Sequence, residues 1–415
     1  MIARRRPRID GDRLLGRLGV LAGIGADAQG SLTRVAWSPP DREAVAVVGS
    51  WAAEAGAKVR TDPVGSLIAE FAGHATGLLP LAMGSHLDTV ISAGRLDGAF
   101  GVVAGVEILE ALSASGLMLR HPLRLAAFVN EEGVVAPPFT GSRAAAGHDL
   151  SGELDVIGAD GVSLSRRMSN AGSKPDHAGE AAWGAVAGYL EIHIEQGPVL
   201  HANNCPVGVV TAVTGQIRLQ VDWRGRANHA GTTPMDMRQD ALVAASQGVL
   251  AVAQLAAGGA VTVATVGRLD VEPNVANVIP GSVRFSVDLR STDDVEAAAA
   301  VTVLRRTFDD IARHTTTTVA VSVTSSSRAV PTDIRWRRIL HESCIRAGTV
   351  ALDLASGAGH DAQHIAELGP IGMLFVPSID GVSHHPDENT AGPDLVRGVE
   401  IALDALLAAD EDFDG

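Results

Sequence analysis

The sequence is poor in aromatic residues and in cysteine. Phe, Trp and Tyr make up 3% of its 415 residues, so its core has to be built from the abundant Ala and Val and from branched aliphatic side chains. The two cysteines, Cys205 and Cys344, lie far apart and in no metal-type spacing. A disulfide framework is therefore not expected, and the composition fits a reducing cytoplasm.

Charge and hydropathy exclude two classes of partner. The formal net charge is −15, whereas a nucleic-acid surface needs an excess of clustered Lys and Arg. No stretch approaches the roughly 20 apolar residues of a membrane span. Asp10 and Asp12 interrupt the apolar run that a signal peptide would need after its basic start. The first residues are therefore predicted to form an amphipathic helix, and the protein to bind neither nucleic acid nor membrane.

Most of the chain alternates between short apolar runs and helical patterns. Buried parallel strands are predicted at 79–84, 123–130, 189–194 and 371–377, and helices at 98–114, 334–347 and 393–408. This rhythm predicts an α/β fold with a mostly parallel sheet flanked by helices. The length also favours two domains over one core.

The middle of the chain has a different pattern. Residues 217–223, 283–289 and 318–324 alternate between apolar and polar side chains. Between them lie helical runs at 240–257 and 293–314, the second with Thr292 as its predicted N-cap, and a strand at 261–266. The order β-α-β-β-α-β predicts a ferredoxin-like domain with one polar sheet face. We expect it at 211–328, inserted into a catalytic domain formed by 1–210 and 329–415.

Acidic and imidazole side chains gather near the ends of the predicted strands. Five segments carry them: GSHLDTV with His86 and Asp88, LDGAFG with Asp97, NEEG with Glu131 and Glu132, HIEQG with His193 and Gln196, and SHHPDE with His384 and His385. Each alone could be a hydrogen-bonded core residue, a helix cap or a solvated acid pair. Because ligand sites form at the carboxyl ends of parallel strands, the five together indicate a site for zinc, cobalt, manganese or nickel. Asp88 is expected to accept the second ring proton of His86 and so orient that ring.

The order and number of these segments resemble the hydantoinase/carbamoylase family of di-metal amidohydrolases, within the wider group of aminoacylases and carboxypeptidases. The resemblance extends over essentially the whole chain. It is carried by GSHLDTV, DGAFGVVAGVE, NEEG, HIEQGPVL, NHAGTTPMDMRQDAL, NVIPG, DLRS, SGAGHDAQ and FVPSIDGVSHHP. It implies an amidohydrolase that holds two divalent ions per subunit, with zinc expected and manganese, cobalt or nickel as alternatives.

The resemblance also implies which side chains hold the ions. Asp97 would bridge both ions, His86 and His193 would complete one site, and Glu132 and His384 would complete the other. In the peptidase branches an acid usually stands at the position of His193, so this histidine favours the carbamoylase branch.

The catalytic and substrate-binding residues are implied in the same way. Glu131 would be the general base, and His229 would stabilise the oxyanion. The other implied contacts are Gln196, Asn277, Arg290, Gly359 and, beside it, His360. The inserted domain would act as a lid and form a homodimer. Two departures stand out: no Arg follows the EEG run, and the last histidine is doubled, with His385 expected at the rim of the site.

Several activities stay open. Allantoate is the preferred substrate, because GQIRLQV places Arg218 on the polar face of its strand, where it could bind a very polar substrate. N-carbamoyl-L-amino acid hydrolysis is the alternative, with β-ureidopropionase as a further option and a dipeptidase or aminoacylase as a more distant one. A binding protein without activity is expected to have lost a ligand or Glu131, and this chain keeps all of them.

Overall fold

The computed structural model describes residues 6–158 and 160–413 and divides into two compact units. The first unit comprises the described residues up to Thr211 and from Thr332 onward, and the second is Ala212–Pro331. In chain order the strands are β1 (Lys58–Thr61), β2 (Leu67–Phe71), β3 (Leu81–His86), β4 (Leu123–Phe128), β5 (Gly188–Ile194), β6 (Val207–Val213), β7 (Gly215–Arg224), β8 (Asn228–His229), β9 (Val263–Thr265), β10 (Leu269–Glu272), β11 (Val278–Ile279), β12 (Ser282–Ser291), β13 (Thr318–Ser327), β14 (Val330–Pro331), β15 (Ala351–Ser356) and β16 (Ile371–Val376). The helices are α1 (Gly11–Gly23), α2 (Pro39–Glu54), α3 (Ala99–Ser115), α4 (Thr140–Ala145), α5 (Leu164–Asn170), α6 (Val199–Ala202), α7 (Ala241–Ala257), α8 (Asp294–Thr315), α9 (Ile334–Arg346), α10 (Ala362–Ile365) and α11 (Gly392–Asp412).

The sheet of the first unit is parallel at its centre. Its strands lie in the order β1, β2, β4, β3, β5, β16 and β6, and β15 also pairs with β6. Strands β4, β3, β5 and β16 are parallel, whereas β1, β2 and β6 pair antiparallel to their neighbours. Every residue of β3, β5 and β16 is buried, as expected for strands that helices cover. The predicted α/β class is confirmed, and β3 extends past its predicted end to include His86.

The first helix is amphipathic and is anchored by an ion pair to a buried carboxylate. Asp10 caps α1 by accepting the N–H of Arg13, and Leu14 and Leu21 are buried on the inner face. The Arg13 guanidinium binds both oxygens of Glu107 in α3, at 2.8 and 2.7 Å. This bidentate geometry compensates for the burial of the Glu107 carboxylate, which is fully enclosed. Residues 1–5 of the predicted N-terminal helix lie outside the described residues.

The second unit is a ferredoxin-like layer of strands packed on two helices. Strands β13, β7 and β12 are neighbours in that order and pair antiparallel. Strands β10 and β9 both pair antiparallel with β12, β10 along its first half and β9 along its second half. The core comprises the apolar positions of the predicted alternation, among them Leu219, Val221, Trp223, Phe285 and Leu289. The predicted ferredoxin-like fold is therefore confirmed. The opposite faces of β7 and β12 carry polar side chains.

Two details of the second unit differ from the sequence predictions. Asp293, and not Thr292, caps α8, because its carboxylate accepts the N–H groups of Val295 and Glu296 at 2.7 and 3.0 Å. The short ribbon of β8 and β11 was not predicted, since two-residue strands leave no periodic pattern. None of the helices in the described ranges has the length and apolar character needed to cross a bilayer.

Candidate metal centre and substrate-binding residues

The parallel strands bring the predicted metal ligands to one edge of the sheet. His86 is the last residue of β3, Glu131 and Glu132 follow β4, and His193 is the penultimate residue of β5. Asp97 lies just before α3. Because these strands run in the same direction, their carboxyl ends meet, and these side chains converge although they are distant in sequence.

Asp97 lies at the centre of the cluster. Its Oδ1 lies 3.1 Å from Nε2 of His193 and 3.6 Å from Nε2 of His86, and its Oδ2 lies 3.1 Å from Nε2 of His384. The same nitrogen of His384 lies 3.5 Å from Glu132. Two overlapping groups that share Asp97 could therefore hold metal ions, one with His86 and His193 and the other with Glu132 and His384. A third group, without Asp97, joins His86 to Glu131 and Glu132.

Main-chain carbonyl groups orient two of the imidazoles. Nδ1 of His86 lies 2.9 Å from the carbonyl oxygen of Asp88, and Nδ1 of His193 lies 2.8 Å from that of Ile194. A carbonyl only accepts, so Nδ1 carries the proton in both rings. Nε2 is then the ring atom that faces Asp97 in both histidines, and it would be the atom that ligates a metal ion.

Asp88 contributes differently from the sequence prediction. Its carboxylate lies 3.9 Å from the His86 ring, and its main-chain carbonyl accepts the ring proton in its place. The carboxylate accepts the N–H groups of Glu131 and Glu132, at 3.1 and 3.2 Å. Asp88 therefore links the histidine end of the cluster to the acid pair through its main chain and side chain together.

The charges and donor atoms of the cluster fit divalent cations. Burial alone would raise the pKa of Asp97, but hydrogen bonds from His193, His384 and His86 hold it well below its ordinary range. The hydrogen bond to Asp97 raises the pKa of His384 to about 9. A cluster that favours protons on its imidazoles also favours cations in their place. In addition, Glu132 Oε1 is buried and has no hydrogen-bond partner among the described residues, which leaves it available as a ligand.

Glu131 has the surroundings of a proton carrier. It is buried, and its Oε2 lies 3.7 Å from Nε2 of His86. Burial, together with the charges of Glu132, Asp361 and Asp97, raises the pKa of Glu131 well above its ordinary range. These surroundings favour the protonated form of Glu131, so its carboxylate is well placed to take up a proton.

Three other predicted residues of the first unit lie beside the cluster. Gln196 donates from Nε2 to Asp97 at 2.9 Å, from a left-handed backbone position. A Cβ at Gly359 would lie 2.7 Å from the ring of Phe139, so the close approach of these segments requires glycine there. His360 is 1% exposed and packs edge-to-face on His193 at 4.7 Å between ring centroids. This packing gives His360 a supporting contact to His193, and its contact to substrate stays a prediction.

His384 and His385 have separate places. Nε2 of His384 contacts Asp97 and Glu132, whereas His385 is exposed and accepts the N–H of Asp387 at 3.2 Å. His384 adopts a positive φ of 55°, which turns the chain within the doubled motif. The structure thus places His384, and not His385, in the cluster.

The remaining predicted residues lie in the second unit and form two groups. Asp288 accepts from Arg290 Nε at 3.0 Å, from Gln216 at 2.8 Å and from Arg218 Nε at 3.5 Å, on the polar face of β7 and β12. His229 faces Val278 across the β8–β11 ribbon, next to Asn277. Both His229 and Asn277 are exposed.

The proton of His229 has a defined position. Its Nδ1 accepts the N–H groups of Gly231 and Thr232 at 3.0 and 3.2 Å. In the neutral ring the proton therefore lies on Nε2. His229 can donate from Nε2 without first becoming charged.

Two supporting acids were not identified from the sequence. Glu388 accepts the N–H groups of Leu96 and Asp97, and Ser383 donates to its other oxygen. Glu191 accepts from Ser85 at 3.1 Å and from the N–H of Ala362 at 2.8 Å. Both acids lie in motifs that the sequence analysis singled out, SHHPDE and YLEIHIEQG. Their supporting role could not be predicted, because an acid that binds the main chain of a distant segment has no local signature.

The loop that lacks the expected Arg is closed by other contacts. Asn130 donates to the carbonyl of Pro137 and to Oγ1 of Thr140, and the N–H of Phe139 donates to the main-chain carbonyl of Glu131. Gly133 has φ of 69°, and a Cβ there would meet Pro138 at 2.9 Å. These bonds hold the acid pair without a guanidinium.

Comparison with known proteins identifies the family. Residues 82–408 match the model of the family described as Peptidase family M20/M25/M40. The chain belongs to this family. An N-carbamoyl-L-amino acid amidohydrolase of Geobacillus stearothermophilus is 37% identical over 401 residues, which cover 95% of this chain and 97% of the relative. A probable allantoate deiminase of Oryza sativa subsp. japonica is 35% identical over 406 residues, which cover 89% of this chain and 83% of the relative.

Solved structures of M20/M25/M40 relatives agree with this assignment. The crystal structure of an amidase of the hydantoinase/carbamoylase family from Burkholderia multivorans has a TM-score of 0.92, with 34% identity, and covers 98% of this chain and 99% of that one. The predicted resemblance and the prediction of an amidohydrolase are confirmed. As an M20/M25/M40 protein the chain is a metallohydrolase with candidate metal-binding clusters.

Proposed function

We propose that this chain uses two divalent metal ions, with zinc expected, to hydrolyse the ureido C–N bond of a small carboxylate substrate. The observation that carries the proposal is the Asp97-centred cluster, in which one carboxylate contacts histidines on both sides and two groups of ligands share it. Relatives named for N-carbamoyl-L-amino acids and for allantoate support the ureido class, since both compounds carry a carbamoyl nitrogen beside a carboxylate.

The ions would be held by His86, Asp97, Glu132, His193 and His384. When bound, they would lower the pKa of water and offset negative charge that develops on the scissile carbonyl. Glu131 would take the proton from the attacking water and deliver it to the leaving nitrogen. Its raised pKa favours the first transfer, because burial makes the carboxylate a stronger base than an exposed glutamate.

The second unit would contribute substrate contacts. His229 would donate from Nε2 to the oxyanion, as its tautomer allows. Arg290 would bind the substrate carboxylate bidentately, with Asn277 as a further donor. Asp288 orients the Arg290 guanidinium through bonds to Nε and Nη2. We also propose that this unit acts as a lid and forms a homodimer.

Allantoate is the substrate that the polar cluster favours. Gln216, Arg218 and Arg290 surround Asp288 on one sheet face, so two guanidinium groups lie side by side. Allantoate has two ureido arms and one carboxylate, so it offers hydrogen-bond acceptors to both guanidinium groups. Its hydrolysis would yield ureidoglycine, ammonia and CO2, with ureidoglycolate following from loss of a further ammonia.

An N-carbamoyl-L-amino acid is the second candidate, favoured by the identity to the Geobacillus relative. The two are separated by measuring ammonia release from allantoate and from a panel of N-carbamoyl-L-amino acids in parallel. A third arm measures the release of free amino acids from dipeptides, whose hydrolysis yields no ammonia. Preference for allantoate that is lost in Arg218→Ala supports the first proposal. Preference for carbamoyl amino acids would replace allantoate by an N-carbamoyl-L-amino acid as the substrate. Cleavage of dipeptides alone would overturn the proposal of a ureido substrate.

A further inference from the structure

We propose that His148, His364 and Glu367 form an additional binding site for a divalent transition-metal ion, with ligands separate from those of the Asp97-centred cluster. Nε2 of His148 lies 2.9 and 3.0 Å from the two oxygens of Glu367. A ring nitrogen of His364 completes the group, and the three ligand atoms lie within 4.8 Å of one another. Two imidazoles and one carboxylate are a common ligand set for zinc, with room for water at the remaining positions.

The main chain fixes the places of the three ligands. His148 follows α4, and its N–H donates to the carbonyl of Arg143 at 2.9 Å. His364 lies in α10, and the N–H of Glu367 donates to its carbonyl at 3.2 Å. Helices α4 and α10 pack against each other. The three side chains therefore converge because two helical segments are packed, and not only because a histidine and a glutamate attract each other.

The chemistry of His364 suits ligation. Its ring is largely buried, with Phe139 at 5.1 Å and His148 at 5.7 Å between centroids. Burial, followed by the charges of His148 and Arg143, lowers the pKa of His364 to about 3, so at neutral pH the ring is neutral and offers a lone pair. Arg143 itself is occupied by the carboxylate of Glu153. Glu367 is exposed, so an ion can enter from solvent.

A bound ion would connect the segment after α4 to α10. Helix α10 begins directly after His360 and Asp361, and His360 packs against His193. The ion would thus stabilise the segment that supports a predicted catalytic ligand. Because it binds only the folded arrangement, it should also raise the melting temperature.

The test is to count zinc ions. Full-length wild-type and variant proteins are saturated with Zn²⁺, freed of excess by gel filtration and analysed for bound zinc by atomic emission. His148→Ala and Glu367→Gln are each expected to hold one zinc ion fewer per chain than wild type. In Asp97→Asn, a zinc-dependent rise in melting temperature should persist, and adding His148→Ala should abolish it.

The chain offers a matched control. His177 and Glu180 form another exposed pair, with Nδ1 and Oε1 2.9 Å apart, but belong to none of the candidate metal groups. His177→Ala should retain the wild-type zinc content. Equal zinc in wild type, His148→Ala and Glu367→Gln, or an equal loss in His177→Ala, would overturn the proposal. The readout is bound zinc, so it is independent of whether the chain hydrolyses a ureido bond.

Discussion

The carboxylate of Glu388 accepts the backbone N–H of Asp97 at 3.1 Å. The same oxygen accepts the N–H of Leu96 at 2.8 Å, and Ser383 binds the other oxygen. Glu388 is 2% exposed, so these bonds are shielded from water. They fix the main chain at the residue whose side chain contacts three imidazoles. Glu388 is therefore expected to position the candidate metal centre.

Replacing Glu388 by Gln should weaken metal binding by about 10- to 100-fold, since outer ligands orient the inner ones. Gln keeps one oxygen acceptor but loses the negative charge that offsets the bound cations. The measurement is a metal titration of the stripped protein. Glu195→Gln is the control: Glu195 also accepts two backbone N–H groups, from Val199 and Leu200. Equal affinities in the two variants would remove Glu388 from this role.

Glu131→Gln should keep both metal ions yet lose turnover by about a hundred- to ten-thousand-fold, the usual contribution of a general base. The amide has nearly the shape of the carboxylate but cannot carry the proton. Metal content and ammonia release are measured on the same preparation. Near wild-type rates with full metal occupancy would show that another group moves the proton.

Arg290→Ala should raise KM for carboxylate substrates by about 10- to 100-fold, as expected for losing charged hydrogen bonds of about 1.5–3 kcal/mol. Arg284→Ala is the control, because Arg284 lies on the same strand and pairs with Asp222 at 2.7 Å. Steady-state kinetics of both variants separates a substrate contact from a general effect of surface charge. An unchanged KM in Arg290→Ala would remove Arg290 from the site.

Asp361 should make stability depend on pH. Burial, then the charge of Glu191, raises its pKa from 3.8 to about 8, so the folded protein favours the protonated form. Its contribution to the free energy of unfolding is complete at a pH below 3.8, the pKa of the unfolded state. The contribution is lost as the pH rises toward the folded-state pKa of about 8. Urea unfolding across this range should show a smaller loss of stability in Asp361→Asn than in wild type. Parallel pH profiles for the two proteins would contradict the assignment.

The sequence was sufficient to predict the parts of the fold with strong periodicity. The parallel strands β3, β4, β5 and β16 are short, mostly apolar segments, and β7 and β12 alternate between apolar and polar residues, so burial determines their pattern. Strands β6 and β15 were not predicted. Strand β6 lies where two patterns meet, and β15 carries a mixture of exposed and half-buried residues. Their place in the sheet depends on pairing between distant segments.

The candidate ligands could be predicted because each lies in a distinctive motif, and His86, Glu131, Glu132 and His193 also lie at or just after a strand end. The residues that position these ligands could not be predicted from the sequence. Glu388 lies far from Asp97 in sequence, and Asp88 orients His86 through its main-chain carbonyl, which no residue type reveals. The packing of His360 on His193 could not be predicted either, because a short GHD motif does not reveal which ring its histidine contacts.

Metal-dependent ammonia release is the most direct test of the two-metal centre at Asp97. The protein is stripped with a chelator, and zinc or manganese is added in steps while ammonia release from allantoate and N-carbamoyl-L-amino acids is followed. We expect the stripped protein to be inactive, activity to return as the ions bind, and Asp97→Asn to stay inactive at any metal concentration. Full turnover by the stripped protein, or by Asp97→Asn, would contradict the role of this cluster.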